Sequence, residues 1–99
     1  MPKVILQISY EVHPEKREEY LVLAAEMRSH FAGERGKNYA MYEVKGKKNS
    51  FVEEFVCASQ EEYEALEDNM TESSEALVGR LEGVVREGST RYTTLIGLD

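Results

Sequence analysis

The feature that most constrains this sequence is a pair of apolar runs separated by a short polar segment near its middle. Residues 38–44 and 50–57 are rich in aromatic and β-branched side chains, and the segment between them, residues 45–49, reads Lys-Gly-Lys-Lys-Asn. Two such runs joined by a short loop that contains glycine are typical of a β-hairpin. We therefore predict two neighbouring antiparallel strands, and the other elements are placed relative to them.

The residues before this hairpin predict a strand followed by a helix. Residues 3–12 alternate, and one side of the strand carries Val4, Leu6, Ile8, Tyr10 and Val12. A period of two is the signal of a strand. His13-Pro14 ends it, because proline is out of place in a sheet ladder and suits the first turn of a helix. Apolar residues then recur at three- and four-residue steps, which predicts a helix whose buried stripe is Tyr20, Leu23, Ala24, Met27 and Phe31.

The residues after the hairpin predict a second helical region and a last strand. Ser59-Gln-Glu-Glu62 is a capping-box pattern, which marks the start of a helix. Residues 68–74 are polar and reluctant to form a helix, so we expect a kink or a break there, with Asn69 and Glu72 as a candidate second cap. Residues 90–98 predict the final strand.

The order of elements is β-α-β-β-α-β, which predicts a single α+β domain of ferredoxin-like type over residues 1–99. Right-handed crossovers place both helices on one face of a four-stranded antiparallel sheet. The other face is then uncovered, and it carries Ile5, Gln7, Ser9 and Glu11 together with one set of large apolar hairpin residues. Such a face seldom stays in water, and a second copy of the chain is the simplest cover. We therefore expect a homodimer.

Charge and composition exclude several kinds of partner. The formal net charge is −7, and its excess lies in residues 59–88, where nine acidic side chains oppose two arginines. This surface repels phosphate backbones, so we expect no nucleic-acid partner, although RNA-recognition domains share the same strand order. No apolar run is long enough to cross a membrane, and no secretion signal is evident. The single cysteine, Cys57, suits the reducing cytoplasm.

Three stretches carry a resemblance to a known family. They are His13-Pro14-Glu15 after the first strand, the hairpin residues 42–44 and 51–56, and the helix start Ser59-Gln-Glu-Glu-Tyr63. In these stretches the chain resembles the dimeric α+β barrel superfamily, and within it the antibiotic-biosynthesis-monooxygenase type of domain. The resemblance implies that two sheets face each other in a dimer, and that each protomer has a pocket between its sheet and helices or inside the barrel.

The sequence also departs from that family. Members often have a tryptophan two residues after a glutamate of the third strand and a histidine in the following helix, and those places hold here Val56 or Phe55 and Ala65 or Glu64. Relatives that bind haem need a helix histidine as iron ligand. The two histidines, His13 and His30, lie instead at the start and end of the first helix. We expect no haem and no other cofactor.

The candidate site residues lie on the strands. Glu53 and Glu54 point to opposite faces, and the one that faces an apolar pocket would have a raised pKa and suit a general base. We select Glu54 with Arg91 as the candidate catalytic residues, although an interface role for this glutamate is the alternative. The candidate ligand-binding residues are Gln7, Ser9, Tyr42 and Tyr92, of which Gln7 and Ser9 suit a hydrogen bond across the dimer equally well.

These residues predict binding more than chemistry. The sequence has no metal-ligand spacing, no phosphate-binding loop and no recognisable Ser/His/Asp arrangement. We therefore expect a homodimer that binds a small aromatic or polyketide-like metabolite. The alternative, which the resemblance implies, is a cofactor-independent monooxygenase. In that chemistry the substrate reduces oxygen, and the protein supplies a dry cavity, a base and hydrogen bonds.

Overall fold

The computed structural model describes residues 2–68 and 71–98, and in it one antiparallel sheet is covered by helices on one side. The strands are β1 (Val4–Glu11), β2 (Tyr39–Glu43), β3 (Ser50–Cys57) and β4 (Arg91–Ile96), in the spatial order β2-β3-β1-β4. The helices are α1 (Arg17–Arg28), α2 (Gln60–Asp68) and α3 (Glu72–Glu82). A short 3-10 turn, Pro14–Lys16, precedes α1, and a π-helical turn, Ser29–Glu34, follows it. The predicted ferredoxin-like α+β fold is confirmed.

The central hairpin forms as its sequence predicts. β2 and β3 pair antiparallel, with Tyr39 opposite Phe55. The loop closes where the Val44 N–H donates to the Ser50 carbonyl at 2.8 Å. Gly46 has a φ of 85° in this loop, a left-handed backbone angle that glycine adopts without steric penalty.

Strand pairing decides which residues face the helices. Val4 of β1 lies opposite Cys57 of β3, and Tyr10 lies opposite Phe51, and all four are buried. Paired residues of an antiparallel sheet share a face, so even-numbered residues of β1 and β4 and odd-numbered residues of β2 and β3 form what we call the helix side. The remaining strand residues form the open side.

The core lies between the helix side and α1. The predicted stripe of α1 and the turn after it, Tyr20, Leu23, Ala24, Met27 and Phe31, is buried throughout. The Tyr20 ring packs against Phe51, with ring centroids 4.3 Å apart. Each large apolar side chain buried in this way contributes roughly 1.5–3 kcal/mol. This layer holds α1 in place and so fixes one wall of the space beneath the other two helices.

The second helical region is divided, as its polar middle predicts. α2 ends at Asp68, and Thr71 is extended, with φ −102° and ψ 168°. The Thr71 hydroxyl accepts a hydrogen bond from the Ser74 N–H at 3.1 Å and caps α3. The predicted second cap at Asn69 lies outside the described residues.

The predicted cap at the start of α2 is also present, since the Glu62 N–H donates to the Ser59 hydroxyl at 3.2 Å. The Glu62 carboxylate accepts from the N–H of Ala58, one residue earlier than in a standard capping box. Over residues 2–68 and 71–98, no helix has both the length and the apolar character needed to span a bilayer.

Candidate functional site

A cavity of about 650 Å³ lies between the helix side of the sheet and the three helices. Its volume is in the range that holds small organic ligands, roughly 300–1,000 Å³. The walls are mainly apolar, and the side chains that form them include Leu6, Ile8, Met27, Phe31, Phe55, Leu66, Val78 and Leu81.

Glu53 places a carboxyl group in the wall of this cavity. It occupies the middle of β3, opposite Ile8 on one side and Met41 on the other, and only 3% of its surface is exposed. The Tyr39 hydroxyl donates a hydrogen bond to Glu53 Oε1 at 2.5 Å. Burial raises the pKa of the Glu53 carboxyl above its ordinary value, and the hydrogen bond from Tyr39 offsets this only in part. The carboxyl therefore holds its proton to a higher pH than an exposed glutamate.

Buried tyrosines surround this carboxyl. The Tyr10 and Tyr20 hydroxyls are hydrogen-bonded at 2.9 Å, and Tyr10 also lines the cavity. Burial raises the pKa of Tyr10, Tyr20 and Tyr39, and the nearby negative charge of Glu53 raises the pKa values further. All three phenols stay neutral around pH 7, so they act there as hydrogen-bond donors and not as bases.

Most of the sequence-predicted site residues lie on the open side of the sheet. Gln7 and Glu54 are paired across β1 and β3, and Gln7 Nε2 donates to Glu54 Oε2 at 3.2 Å. Tyr42 lies on the same side and is about half exposed. The sheet separates these residues from the cavity. Their roles in binding and catalysis stay predictions.

Ser9 and Arg91 also meet on the open side, where they are paired between β1 and β4. Arg91 Nη1 donates to the carbonyls of Gly88 and Thr90 at 2.9 and 3.0 Å. Tyr92 is the exception among the six candidates, since it lies on the helix side and lines the cavity with 72% of its surface exposed. The structure thus groups Gln7 with Glu54 and Ser9 with Arg91, and it places Tyr92 across the sheet from them.

Sequence reasoning did not find the buried cluster of His30 and Ser74. His30 Nε2 lies 2.6 Å from the Ser74 hydroxyl, and His30 Nδ1 lies 3.0 Å from a Glu34 carboxylate oxygen. His30 and Ser74 are 44 positions apart in the sequence. The only local signal is the four-residue spacing of His30 and Glu34, which puts these two residues on one helical face. Because both ring nitrogens are engaged, His30 offers no ligand for haem iron.

The described ranges hold no group of three or more His, Cys, Asp or Glu side chains placed to bind a metal ion.

The raised pKa of Glu53 predicts a specific dependence of stability on pH. Ionisation of Glu53 has no effect on stability below the unfolded-state pKa, near 4.5, and it lowers the stability of the wild type as the pH rises from there through the higher folded-state value. Glu53→Gln keeps an acceptor for Tyr39 and cannot ionise. We expect urea unfolding to show that the variant gains on the wild type by up to about 1.4 kcal/mol per pH unit over this interval. Glu54→Gln is the control and should follow the wild type; equal slopes for Glu53→Gln and wild type would contradict the prediction.

Comparisons with known proteins find the same fold. No family model and no curated protein matches the chain. Among solved structures, the chain is similar to the cofactor-independent oxygenase SnoaB from Streptomyces nogalater, with 15% identity over 94% of this chain and 90% of that one and a TM-score of 0.72. It is similar to a conserved protein from Methanosarcina mazei, with 14% identity over 96% and 92% of the two chains and a TM-score of 0.79. A candidate antibiotic biosynthesis monooxygenase from Nitrosomonas europaea has 12% identity over 97% and 90% and a TM-score of 0.79. The chain accordingly has the same fold as these proteins, a four-stranded antiparallel sheet covered by helices on one side.

Proposed function

We propose that the protein binds a small aromatic metabolite with a polar substituent in the cavity between the sheet and the helices. The observation that carries the proposal is the Glu53 carboxyl, which is buried and yet lines a cavity of about 650 Å³. A carboxyl in an apolar layer lowers stability, so its presence there favours a role in recognition over one in packing. Apolar walls with one or a few polar groups are the usual form of a small-molecule site.

The aromatic residues around Glu53 favour an aromatic ligand. The Phe31 and Phe55 rings meet edge to face, with centroids 5.4 Å apart, and both line the cavity. Tyr39, which donates to Glu53, packs on Phe55 with centroids 4.6 Å apart. A planar aromatic ligand can make edge-to-face and offset contacts of the same kind with these rings. Each such contact adds about 0.5–1.5 kcal/mol to the binding free energy beyond the contribution of the buried area.

The same carboxyl supports a second function, oxygenation without a cofactor. A base works best when its pKa lies near the working pH, and burial moves the pKa of Glu53 upward from that of an exposed glutamate. In its ionised form, Glu53 would take the proton of a phenol or enol, and the resulting anion would reduce oxygen. One oxygen atom replaces the two hydrogens of a ring CH₂ group to form a carbonyl, and the other leaves as water. The similarity to SnoaB, a cofactor-independent oxygenase, supports this alternative.

The base in this second function is assigned to Glu53 and not to Glu54. Glu54 lies on the open side, where Gln7 donates to it. A general base must lie within hydrogen-bond reach of the proton that it removes. A substrate in the cavity contacts Glu53. Glu54 and Arg91 can act only on a ligand that binds on the open side of the sheet.

The open side itself is proposed to pack against the same side of a second copy. Its apolar side chains are Ile5, Tyr42, Val52, Val56 and Leu95, none of which is buried in the single chain. A contiguous apolar surface of this kind usually marks an interface. A two-fold dimer would bring each such surface against itself, with the polar residues of the open side hydrogen-bonded across it.

Binding is tested with a planar neutral phenol, 2-naphthol, by isothermal titration calorimetry. We expect a dissociation constant in the micromolar range, which corresponds to a binding free energy of about −8 kcal/mol. Val78→Phe places a larger side chain in the cavity wall and should weaken binding at least tenfold. Val22→Phe, the same substitution at an exposed position of α1, is the control and should leave binding unchanged. Unaltered binding by a folded Val78→Phe variant would show that the ligand does not bind in this cavity.

Oxygenation is tested by oxygen consumption with anthrone. If the protein is an oxygenase, Glu53→Gln should lower the rate at least 100-fold, the range that loss of a general base usually gives. The binding of 2-naphthol should change by no more than threefold, because the amide retains the shape of the carboxyl and an oxygen that accepts a hydrogen bond from the phenol. Glu54→Gln is the matched control. A rate that depends on Glu54 and not on Glu53 would show that the base has been misassigned.

Assembly is tested by sedimentation equilibrium. We expect a particle of about twice the 11.3 kDa chain mass. Val52→Lys places a charge on the open side and should give a folded monomer, whereas Val22→Lys on the exposed face of α1 should remain a dimer. A wild-type protein that sediments as a stable monomer at micromolar concentration would overturn the proposed interface.

A further inference from the structure

Two cationic side chains line one end of the cavity. Arg35 and Lys37 lie between the π-helical turn and β2, and both are half-buried and form part of the cavity wall. This end lies near the end of β3, since Val56 N–H donates to the carbonyl of Asn38, the residue after Lys37, at 2.8 Å. The whole chain carries a formal net charge of −7. The two cations in the wall of this cavity are therefore opposite in sign to the net charge of the protein.

The other end of the cavity is different in charge. It lies near the end of β1, because the Arg86 N–H donates to the Glu11 carbonyl at 2.8 Å. There Arg86 lines the cavity together with Glu82 and Glu87. Among the described residues that line the cavity, Arg86 is thus accompanied by two carboxylates at this end, and the end with Arg35 and Lys37 is the better one for an anion.

Arg35 is held in place by a buried hydroxyl. Arg35 Nη1 donates to Ser74 Oγ at 3.2 Å, and the Arg35 backbone N–H donates to the His30 carbonyl at 2.8 Å. Ser74 lies in the first turn of α3 and has no exposed surface. A guanidinium has five N–H donors, so the contact with Ser74 leaves others for a ligand.

The hydrogen bonds around Ser74 identify it as a positioning residue. Its hydroxyl lies 3.1 Å from the Thr71 hydroxyl and 2.6 Å from His30 Nε2. The Glu34 carboxylate is an acceptor, so His30 Nδ1 carries a proton, and in the neutral form of the ring Nε2 accepts the proton of Ser74. Arg35 and Thr71 then donate to the two lone pairs of Ser74, which saturates the group.

The same series of Ser74, His30 and Glu34 has the order of a catalytic triad. A nucleophilic serine, however, needs a lone pair and a path to its substrate. Ser74 is fully buried, and its lone pairs accept from other side chains. It therefore orients Arg35 and does not attack a carbonyl.

We infer that the ligand of this cavity is an aromatic carboxylate, with its anionic group bound by Arg35 and Lys37. The inference rests on the proposed function and narrows its ligand class. A planar carboxylate matches the fork of the arginine guanidinium, and Lys37 adds a second charge. The ring then lies against Phe31 and Phe55, which continue the cavity wall toward Glu53. A hydroxyl or keto group on the ring meets the Glu53 carboxyl.

The test compares two probes of one shape, 2-naphthoate and the neutral 2-naphthamide, by calorimetry at pH 7. We expect the wild-type protein to bind the carboxylate at least tenfold more tightly than the amide. Arg35→Gln should abolish this preference and leave the affinity for the amide within threefold of the wild type. Ser74→Ala, which frees Arg35, should reduce the preference at least threefold. Arg28→Gln, at an exposed position of α1, is the control and should keep it.

The outcomes separate this inference from the proposed function. Binding of the amide with no preference for the carboxylate overturns the inference and leaves the cavity as a neutral aromatic site. Failure of both probes to bind the wild type overturns the proposed function and the inference with it. If Arg35→Gln unfolds, Lys37→Gln decides, because it leaves the cluster around Ser74 intact. Lys37→Gln should weaken the binding of the carboxylate and not that of the amide. Lys48→Gln, in the hairpin loop, is the control and should bind both probes as the wild type does. If Lys37→Gln shows no selective loss, the inference is wrong.

Discussion

The register between β1 and its neighbours is the constraint on which the rest of this structure depends. Successive strand residues alternate between faces, so a shift of one residue would move every helix-side group to the open side. The register is held because Tyr10 and Phe51 both pack against Tyr20 of α1. The same pairing sets Glu53 opposite Ile8 and Glu54 opposite Gln7. Two adjacent glutamates thus acquire different surroundings from the packing of aromatic residues several positions away.

That separation gives the two carboxyls different chemistry. Glu53 has exchanged water for apolar walls and one strong hydrogen bond from Tyr39, and its pKa rises as a result. Glu54 keeps access to solvent and to the amide of Gln7. Because burial destabilises the ionised form of Glu53, any ligand that accepts a hydrogen bond from its protonated form, or gives up a proton to its ionised form, recovers part of that loss. In the proposed function, the group whose burial lowers stability is therefore also the group that recognises the ligand.

Sequence periodicity predicted the elements but could not choose between the glutamates. The hairpin, the stripe from Tyr20 to Phe31 and the divided second helix all follow from local spacing and turn chemistry, and the structure contains them. Both alternating sets of hairpin residues are apolar enough to be buried, so the side that each occupies depends on long-range pairing that local patterns do not encode. Local patterns therefore cannot show which of Glu53 and Glu54 faces the cavity. The contact of His30 with Ser74 likewise joins residues 44 positions apart. Ser74 lies in the helix turn that Thr71 caps, and the residues next to Ser74 in the sequence do not indicate that its partner is His30.

The two faces of the sheet therefore carry the two proposed surfaces separately. The helix side carries the cavity, whose charge is arranged from Arg35 and Lys37 at one end to mixed charges at the other. The open side carries the apolar surface that the proposed dimer would cover. Because β1 contributes Ile8 to the cavity and Gln7 to the other face, the proposed interface and the proposed ligand site share one strand without sharing side chains. Substitutions on the open side can then change the association of two copies while the shape of the cavity is preserved, provided that the register of β1 and β3 is kept.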